Sequence, residues 1–180
     1  FNELLFLESL SLSDTQLETL PDGIFNALKD LKSLDLSHNQ LLRLSYNVFS
    51  ELTNMTYLCL SDNQLVKLPD SVMKVLISLS YLNLRDNRLV SIGKSLLTGL
   101  IALVCLDLQN NRLTHMDMDI FNDTIYIIYI YLSENQLTQC PDIKHLSLLN
   151  YLDISSNPLT DITHDTFNIL NPHPELLVVA

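Results

Sequence analysis

The side chains that most often carry out chemistry are few in this chain, and they follow no catalytic or metal-binding spacing. The histidines are His38, His115, His145, His164 and His173, and their separations match no zinc-ligand pattern. No nucleophile motif, phosphate-binding loop or dinucleotide-binding fingerprint occurs. We therefore predict a protein without enzymatic activity, metal site or cofactor.

Tyrosine and aspartate are the remaining reactive residue types with a distinctive spacing. Five of the seven tyrosines and three aspartates alternate with buried-type residues in short stretches such as Tyr129-Ile130-Tyr131. These eight candidate ligand-binding residues are Asp35, Tyr57, Tyr81, Asp107, Tyr129, Tyr131, Tyr151 and Asp153. Tyrosine combines a large contact area and a hydroxyl with a low rotamer cost, and a carboxylate beside apolar surface suits an Arg or Lys of a ligand. The pattern favours a binding surface.

An internal repeat sets the position of these side chains. Asparagine recurs every 24 residues from Asn39 and then once more after 22 residues. The recurring residues are Asn39, Asn63, Asn87, Asn111, Asn135 and Asn157. The surrounding pattern is L-x-x-L-x-L-x-x-N-x-L-x-x-L, and Thr15 takes the asparagine position in an earlier copy. A fixed period of this length predicts a solenoid, here of about seven repeats.

Each repeat predicts one short strand and one tight turn. In Ser33-Leu34-Asp35-Leu36-Ser37 the leucines point inward and the other side chains point outward, because successive side chains of a strand alternate. Stacking then gives one parallel sheet whose outward residues form columns. An asparagine amide can both donate to and accept from backbone groups of the adjoining turn. We therefore predict that the six asparagines form a structural ladder rather than a ligand site.

A second recurring position predicts a continuous apolar spine beneath the convex side of the stack. Phenylalanine holds this position in four repeats, and other apolar residues hold it elsewhere. The residues are Phe25, Phe49, Met73, Leu97, Phe121, Ile143 and Phe167.

The repeat resembles the leucine-rich repeat over essentially the whole chain, residues 1–180. The resemblance implies an α/β repeat solenoid, curved into an arc with a concave parallel β-sheet and a convex side of loops and 3₁₀ turns. Both ends cut through a repeat, and neither shows a capping sequence. We expect a single solenoid that is a fragment of a longer protein, with partial repeats at both ends and no caps.

The features that bear on compartment point in two directions. The 24-residue form, with Pro21 four residues before Phe25, is similar to that of extracellular receptor ectodomains and matrix proteins. Sequons at Asn54 and Asn122 fall outside the predicted strands, where a glycan can be accommodated. Against this, exposed free thiols are unusual outside the cell. We predict the extracellular side of the plasma membrane and keep the cytosol as the alternative.

The thiol argument depends on three cysteines. Cys59 and Cys105 take outward strand positions two repeats apart, beyond the reach of a disulfide, and Cys140 replaces an inward leucine. We expect none of the three to form a disulfide, with Cys59 and Cys105 exposed and Cys140 buried.

Charge and hydropathy exclude two further classes. The formal net charge is −11, so a phosphate backbone would be repelled and we predict no nucleic-acid partner. No apolar run approaches the ~20 residues that a membrane helix needs. Membrane attachment is therefore expected through parts of the protein outside this sequence.

Taken together, these features predict the ligand-binding ectodomain of a cell-surface receptor. It captures a peptide or protein ligand on the concave sheet, with a basic ligand favoured, and presents it to a membrane signalling domain. Within that class the chain resembles G-protein-coupled receptors of the relaxin-receptor type, whose concave acids hold arginines of a peptide hormone. The resemblance implies this role for Asp35, Asp107 and Asp153, without the dense paired acids of those receptors. The alternatives are a Toll-like innate immune receptor, a matrix or adhesion protein, and a cytosolic scaffold.

Overall fold

Each repeat contributes one short strand to the main sheet of the molecule. The computed structural model describes residues 1–70, 72–160 and 177–179. The strands are β1 (Ser9–Ser11), β2 (Ser33–Asp35), β3 (Tyr57–Cys59), β4 (Tyr81–Asn83), β5 (Ser91–Ile92), β6 (Cys105–Asp107), β7 (His115–Met116), β8 (Tyr129–Tyr131), β9 (Tyr151–Asp153) and β10 (Leu177–Val179). Eight of them form one sheet in the order β1-β2-β3-β4-β6-β8-β9-β10. From β1 to β9 the chain makes about six turns of a parallel-sheet solenoid.

The strand register aligns equivalent positions of successive repeats. Tyr81 pairs with Cys105 and Asn83 with Asp107 across β4 and β6, and the shorter last period still pairs Tyr129 with Tyr151. The central residue of β2, β3, β4, β6, β8 and β9 points inward and has no exposed surface. The predicted alternation, and with it the outward columns, is confirmed.

The core is a stack of leucines over a spine of larger side chains. Phe25, Phe49, Met73, Leu97 and Phe121 have no exposed surface, and Ile143 is 3% exposed. Because each repeat adds one such side chain, the spine runs along the stack without interruption. The predicted spine is confirmed except at Phe167, which lies outside the described residues.

The asparagine ladder closes the turn that follows each strand. The Asn87 amide donates to the carbonyls of Leu60, Leu84 and Arg85 at 2.9, 3.1 and 3.1 Å, and its Oδ1 accepts from the Leu65 N–H at 3.0 Å. Asn39, Asn63, Asn111, Asn135 and Asn157 make the equivalent contacts. One side chain thus satisfies backbone groups of two consecutive repeats, as predicted.

The convex side differs from the α/β prediction. In the described part of the chain the only helix is a 3₁₀ turn at Lys94–Leu96, and the other convex segments are turns. The loop and 3₁₀ description is therefore right, and the α component is not confirmed. A second small parallel sheet, β5 with β7, was not predicted. No helix within the described ranges has the length and apolarity needed to cross a membrane.

Candidate ligand-binding surface

The five predicted tyrosines lie on the concave face, and four of them contact each other in two pairs. The Tyr57 and Tyr81 rings stack with centroids 4.8 Å apart and planes inclined by 6°. Tyr131 and Tyr151 approach diagonally, at 5.1 Å and 39°. Tyr129, which is 40% exposed, stands between these pairs along the column. The structure therefore brings the tyrosines together as one surface.

A groove opens where this tyrosine column is interrupted. Cys105 lies between Tyr81 and Tyr129 in register, and its short side chain leaves a space that a ring would fill. The space measures about 450 Å³. Its lining is mostly apolar and consists of Ser80, Tyr81, Val104, Cys105, Tyr129 and Tyr131. We call it the Cys105 groove.

The floor of the groove is uncharged. Burial, reinforced by the negative charge of Asp107, raises the pKa of the Cys105 thiol to about 11. A thiol that stays protonated behaves as a small apolar group. The Cys105 groove thus offers carbon and sulfur surface at neutral pH.

The exposure predicted for the cysteines needs correction. Cys59 is 5% exposed rather than open to solvent, and its Sγ lies 3.4 Å from the Ser61 Oγ. Cys105 is half-buried, and Cys140 is buried as expected. Cys59 and Cys105 are free thiols. The compartment of the protein stays a prediction.

The hydroxyls of Tyr57, Tyr81 and Tyr131 on the concave face remain protonated. Burial is the main cause that raises the pKa of Tyr57, to about 12, and the neighbouring Cys59 and Tyr81 add to it. Burial also raises the pKa of Tyr81 and of Tyr131. At neutral pH each can donate a hydrogen bond as well as accept one. The surface therefore combines apolar rings with neutral polar groups.

The three predicted aspartates have a structural role that sequence reasoning missed. Oδ1 of Asp35, Asp107 and Asp153 accepts from the backbone N–H two residues later, at 2.9, 2.9 and 3.0 Å. Asn83 makes the same bond at the same repeat position. An Asx turn of this kind explains why acids and amides recur there. One oxygen of each carboxylate is therefore already hydrogen-bonded within its own turn.

A row of side chains that begins at Arg85 lies beside the aspartate column. Its one positive charge partly offsets the negative charge at the sheet edge. Arg85 Nε donates to Asp86 Oδ2 at 2.8 Å, and Arg85 Nη1 donates to Gln109 Oε1 at 2.9 Å. Gln109 Nε2 in turn donates to Glu134 Oε1 at 2.9 Å. The charge of Arg85 also lowers the pKa of Asp107, although burial dominates and the net direction is upward. Arg85 and Gln109 are 24 residues apart, at the same position of consecutive repeats, and this spacing could have predicted from the sequence that their side chains meet.

Backbone conformation accounts for further acids beside the concave face. Asp62, Asp86 and Glu134, each just before a ladder asparagine, have φ of 54°, 52° and 56°. Asp and Asn are enriched at such left-handed positions because their short side chains can bond locally. Asp62 and Asp86 therefore need no ligand to explain them, whereas this reason does not extend to the longer side chain of Glu134.

Both predicted sequons lie outside the strands. Asn54 and Asn122 are exposed. The Asn54 amide donates to the Lys29 carbonyl at 3.0 Å, and the buried Thr124 hydroxyl donates to the Phe121 carbonyl at 3.1 Å. Glycosylation of either site stays a prediction.

No cluster of three His, Cys, Asp or Glu side chains suited to a metal ion occurs among the described residues. Two of the histidines considered above, His164 and His173, lie outside them.

Comparison with known proteins supplies the family. The family model described as leucine rich repeat matches residues 7–65, 53–109 and 101–159. No curated protein sequence matches the chain.

Solved structures share the fold over most of the chain. A crystal structure of a TLR13–ssRNA13 complex is 27% identical, with a TM-score of 0.78 over 87% of this chain and 23% of that one. The LRR protein LIC12759 of Leptospira interrogans is 27% identical, with a TM-score of 0.69 over 94% of this chain and 48% of that one. Internalin InlF of Listeria monocytogenes is 23% identical, with a TM-score of 0.76 over 94% of this chain and 46% of that one, and the likeness is one of fold alone. The chain thus spans less than half the length of each.

Proposed function

Because the chain belongs to the leucine-rich-repeat family, a protein-interaction fold, we propose that it is a passive binding module that captures a peptide or protein on its concave sheet. The Cys105 groove carries the proposal. A break in an aromatic column produces an apolar recess with rings on both sides, and such recesses receive the anchor side chains of a partner.

The chemistry around the groove indicates what it would hold. An apolar or aromatic side chain fits the recess between Tyr81 and Tyr129. Asp107 lies two residues beyond Cys105 on the same face of β6, about 7 Å away at the usual strand rise. Its half-buried carboxylate would gain from an Arg of the ligand, whose charge would lower the raised pKa of Asp107. We propose a ligand in which an apolar anchor and a basic residue are neighbours.

Selection of peptides against the intact chain tests this proposal. A random peptide library displayed on phage is panned on the chain, and binders are assayed against the double variant Tyr129→Ala/Tyr131→Ala. We expect enriched peptides to pair an apolar anchor with Arg or Lys, and to lose about 30-fold or more in affinity for the variant. The matched control is Tyr46→Ala, a tyrosine that is 71% exposed and outside the strands. Equal binding to wild type and double variant, with both folded by circular dichroism, would refute the site.

We further propose that the module belongs to the extracellular part of a cell-surface receptor. The 24-residue repeat form, the exposed sequons at Asn54 and Asn122, and the likeness to TLR13 support this assignment. In chain secreted from animal cells, we expect mass spectrometry to find a glycan on at least one of the two. Two bare sites in efficiently secreted material would remove that support and favour the cytosolic scaffold.

The narrower assignment to a G-protein-coupled receptor of the relaxin-receptor type remains a proposal that rests on three acids. One carboxylate oxygen of each acid accepts a hydrogen bond within its own turn, as described above for Asp35, Asp107 and Asp153. The similar proteins add no support for this receptor type. A matrix or adhesion protein would share the same concave chemistry.

RNA is the second candidate ligand, because the similar TLR13 chain was solved with single-stranded RNA. The net charge of −11 and the concave carboxylates oppose it. Binding of a single-stranded RNA oligonucleotide at physiological salt, abolished by Tyr129→Ala/Tyr131→Ala, would replace the peptide by RNA and correct the prediction against nucleic acids.

A further inference from the structure

An apolar stripe runs across one flank of the solenoid, away from the concave tyrosines. Leu42, Val66 and Val90 occupy the same position in three consecutive repeats, three residues after a ladder asparagine. They are 54%, 47% and 44% exposed. In each repeat the preceding leucine is fully buried, so the exposed residue is not part of the core.

Backbone bonds hold the stripe together. The Gln64 N–H donates to the Leu41 carbonyl at 3.0 Å, and the Val90 N–H donates to the Val66 carbonyl at 3.4 Å. The three side chains therefore stand on adjacent rungs, about 5 Å apart at the usual strand spacing. An extended segment of about four residues is long enough to cover them.

Bases border the stripe on both sides. Arg43 and Lys67 directly follow Leu42 and Val66 in the chain, and Arg88 precedes Val90 by two residues. Arg112 takes the position of Arg88 in the next repeat. All four are exposed, and none forms an ion pair with another described residue. We call these four bases and the three apolar residues the flank patch.

The patch gathers four of the six bases that form no ion pair among the side chains the structure describes, the other two being Lys74 and Lys144. Elsewhere in the described chain Lys29, Lys32 and Arg85 are each paired with an acid, at 3.7, 2.7 and 2.8 Å. A protein of net charge −11 therefore places four of its ten bases, unneutralised, around one apolar stripe. In the preceding repeat the position equivalent to Leu42 holds the acid Glu18, so the apolar stripe ends at Leu42 on its N-terminal side.

The other exposed apolar column lacks this charge. Ile77, Ile101 and Ile125 also share one repeat position and are 51%, 56% and 47% exposed. The base at that position in an earlier repeat, Lys29, is paired with Glu51. Of these two exposed apolar columns, the flank patch is therefore the one whose neighbouring charges indicate the charge of a binding partner.

We propose that the flank patch binds a short acidic segment of a partner protein that carries apolar side chains. Its carboxylates would meet the four bases while its apolar side chains cover Leu42, Val66 and Val90. A protein segment fits better than nucleic acid, because the patch contains no aromatic side chain on which a base could stack. This surface is separate from the Cys105 groove, so either can fail without the other.

Synthetic peptides test the proposal on the intact chain. The probe is Glu-Leu-Val-Glu-Asp-Leu-Glu, and its counterpart carries Lys in place of each acid. The variant Arg43→Glu/Lys67→Glu reverses two patch charges, and Lys74→Glu/Lys144→Glu makes the same charge change at exposed bases elsewhere. We expect the acidic peptide to bind wild type, the Lys74/Lys144 variant and Tyr129→Ala/Tyr131→Ala equally, and the Arg43/Lys67 variant at least ~10-fold more weakly.

The apolar half is tested by Val66→Ser, which keeps every charge and is expected to weaken the acidic peptide several-fold. Four outcomes would overturn the proposal: no binding of the acidic peptide, equal binding of both peptides, equal loss in both charge-reversal variants, or an unchanged affinity for Arg43→Glu/Lys67→Glu. Tighter binding of a single-stranded RNA that depends on Arg43 and Lys67 would assign the patch to nucleic acid. Self-association of wild type that these substitutions abolish would assign it to a second copy.

Discussion

Replacement of Asn87 by alanine is expected to lower the free energy of unfolding by about 3 to 5 kcal/mol. The substitution leaves the Leu65 N–H without its acceptor and removes the donor to the carbonyls of Leu60, Leu84 and Arg85. Each buried backbone group that loses its partner costs about 1–3 kcal/mol. Urea unfolding followed by circular dichroism measures the loss.

A matched control is Asn47→Ala, an exposed asparagine of a convex turn, for which we expect a change below about 0.5 kcal/mol. If Asn87→Ala were as mild as Asn47→Ala, the ladder would not be the device that joins consecutive repeats. Asn157, which is less buried than Asn87, is expected to give a smaller loss.

Removal of one ring from the spine is the second large effect. Phe49→Ala is expected to cost about 3–5 kcal/mol, because the side chain has no exposed surface and its deletion leaves a cavity. Phe49→Met is the control, since Met73 fills the same position in the next repeat without any exposure, and it should cost below about 1.5 kcal/mol. Equal losses for the two variants would mean that ring volume does not govern packing of the spine.

The fold was largely predictable because a single physical requirement recurs with a fixed period. A buried turn needs its backbone groups satisfied, and one asparagine per repeat does this, so the spacing of Asn39 to Asn135 reports the geometry directly. Likewise, Leu34 and Leu36 alternate with Ser33, Asp35 and Ser37, and the inward side of the strands follows. The convex side was less predictable, since its segments bury similar apolar residues whether they form helices or turns.

The candidate surface was predictable in position but not in detail. The tyrosine columns follow from strand alternation, whereas the Cys105 groove depends on how neighbouring rings lean, as the diagonal Tyr131–Tyr151 contact shows. The aspartates were predicted to be ligand contacts because the sequence does not distinguish two roles. A carboxylate that accepts a hydrogen bond within its own turn and one that binds an arginine of a ligand occupy the same position in the pattern. Cys59 was expected to be exposed because an outward strand position does not reveal what its neighbours cover.

The most direct test of the concave site is to fill the groove. Cys105→Tyr restores the tyrosine column, and Ser33→Tyr adds the same ring to the same column three repeats away, outside the groove. Affinity for a peptide selected on wild type is measured by titration calorimetry with both variants. We predict a loss of about 30-fold or more for Cys105→Tyr and no change for Ser33→Tyr. Unchanged affinity for a folded Cys105→Tyr variant would contradict the proposal that the Cys105 groove receives the partner.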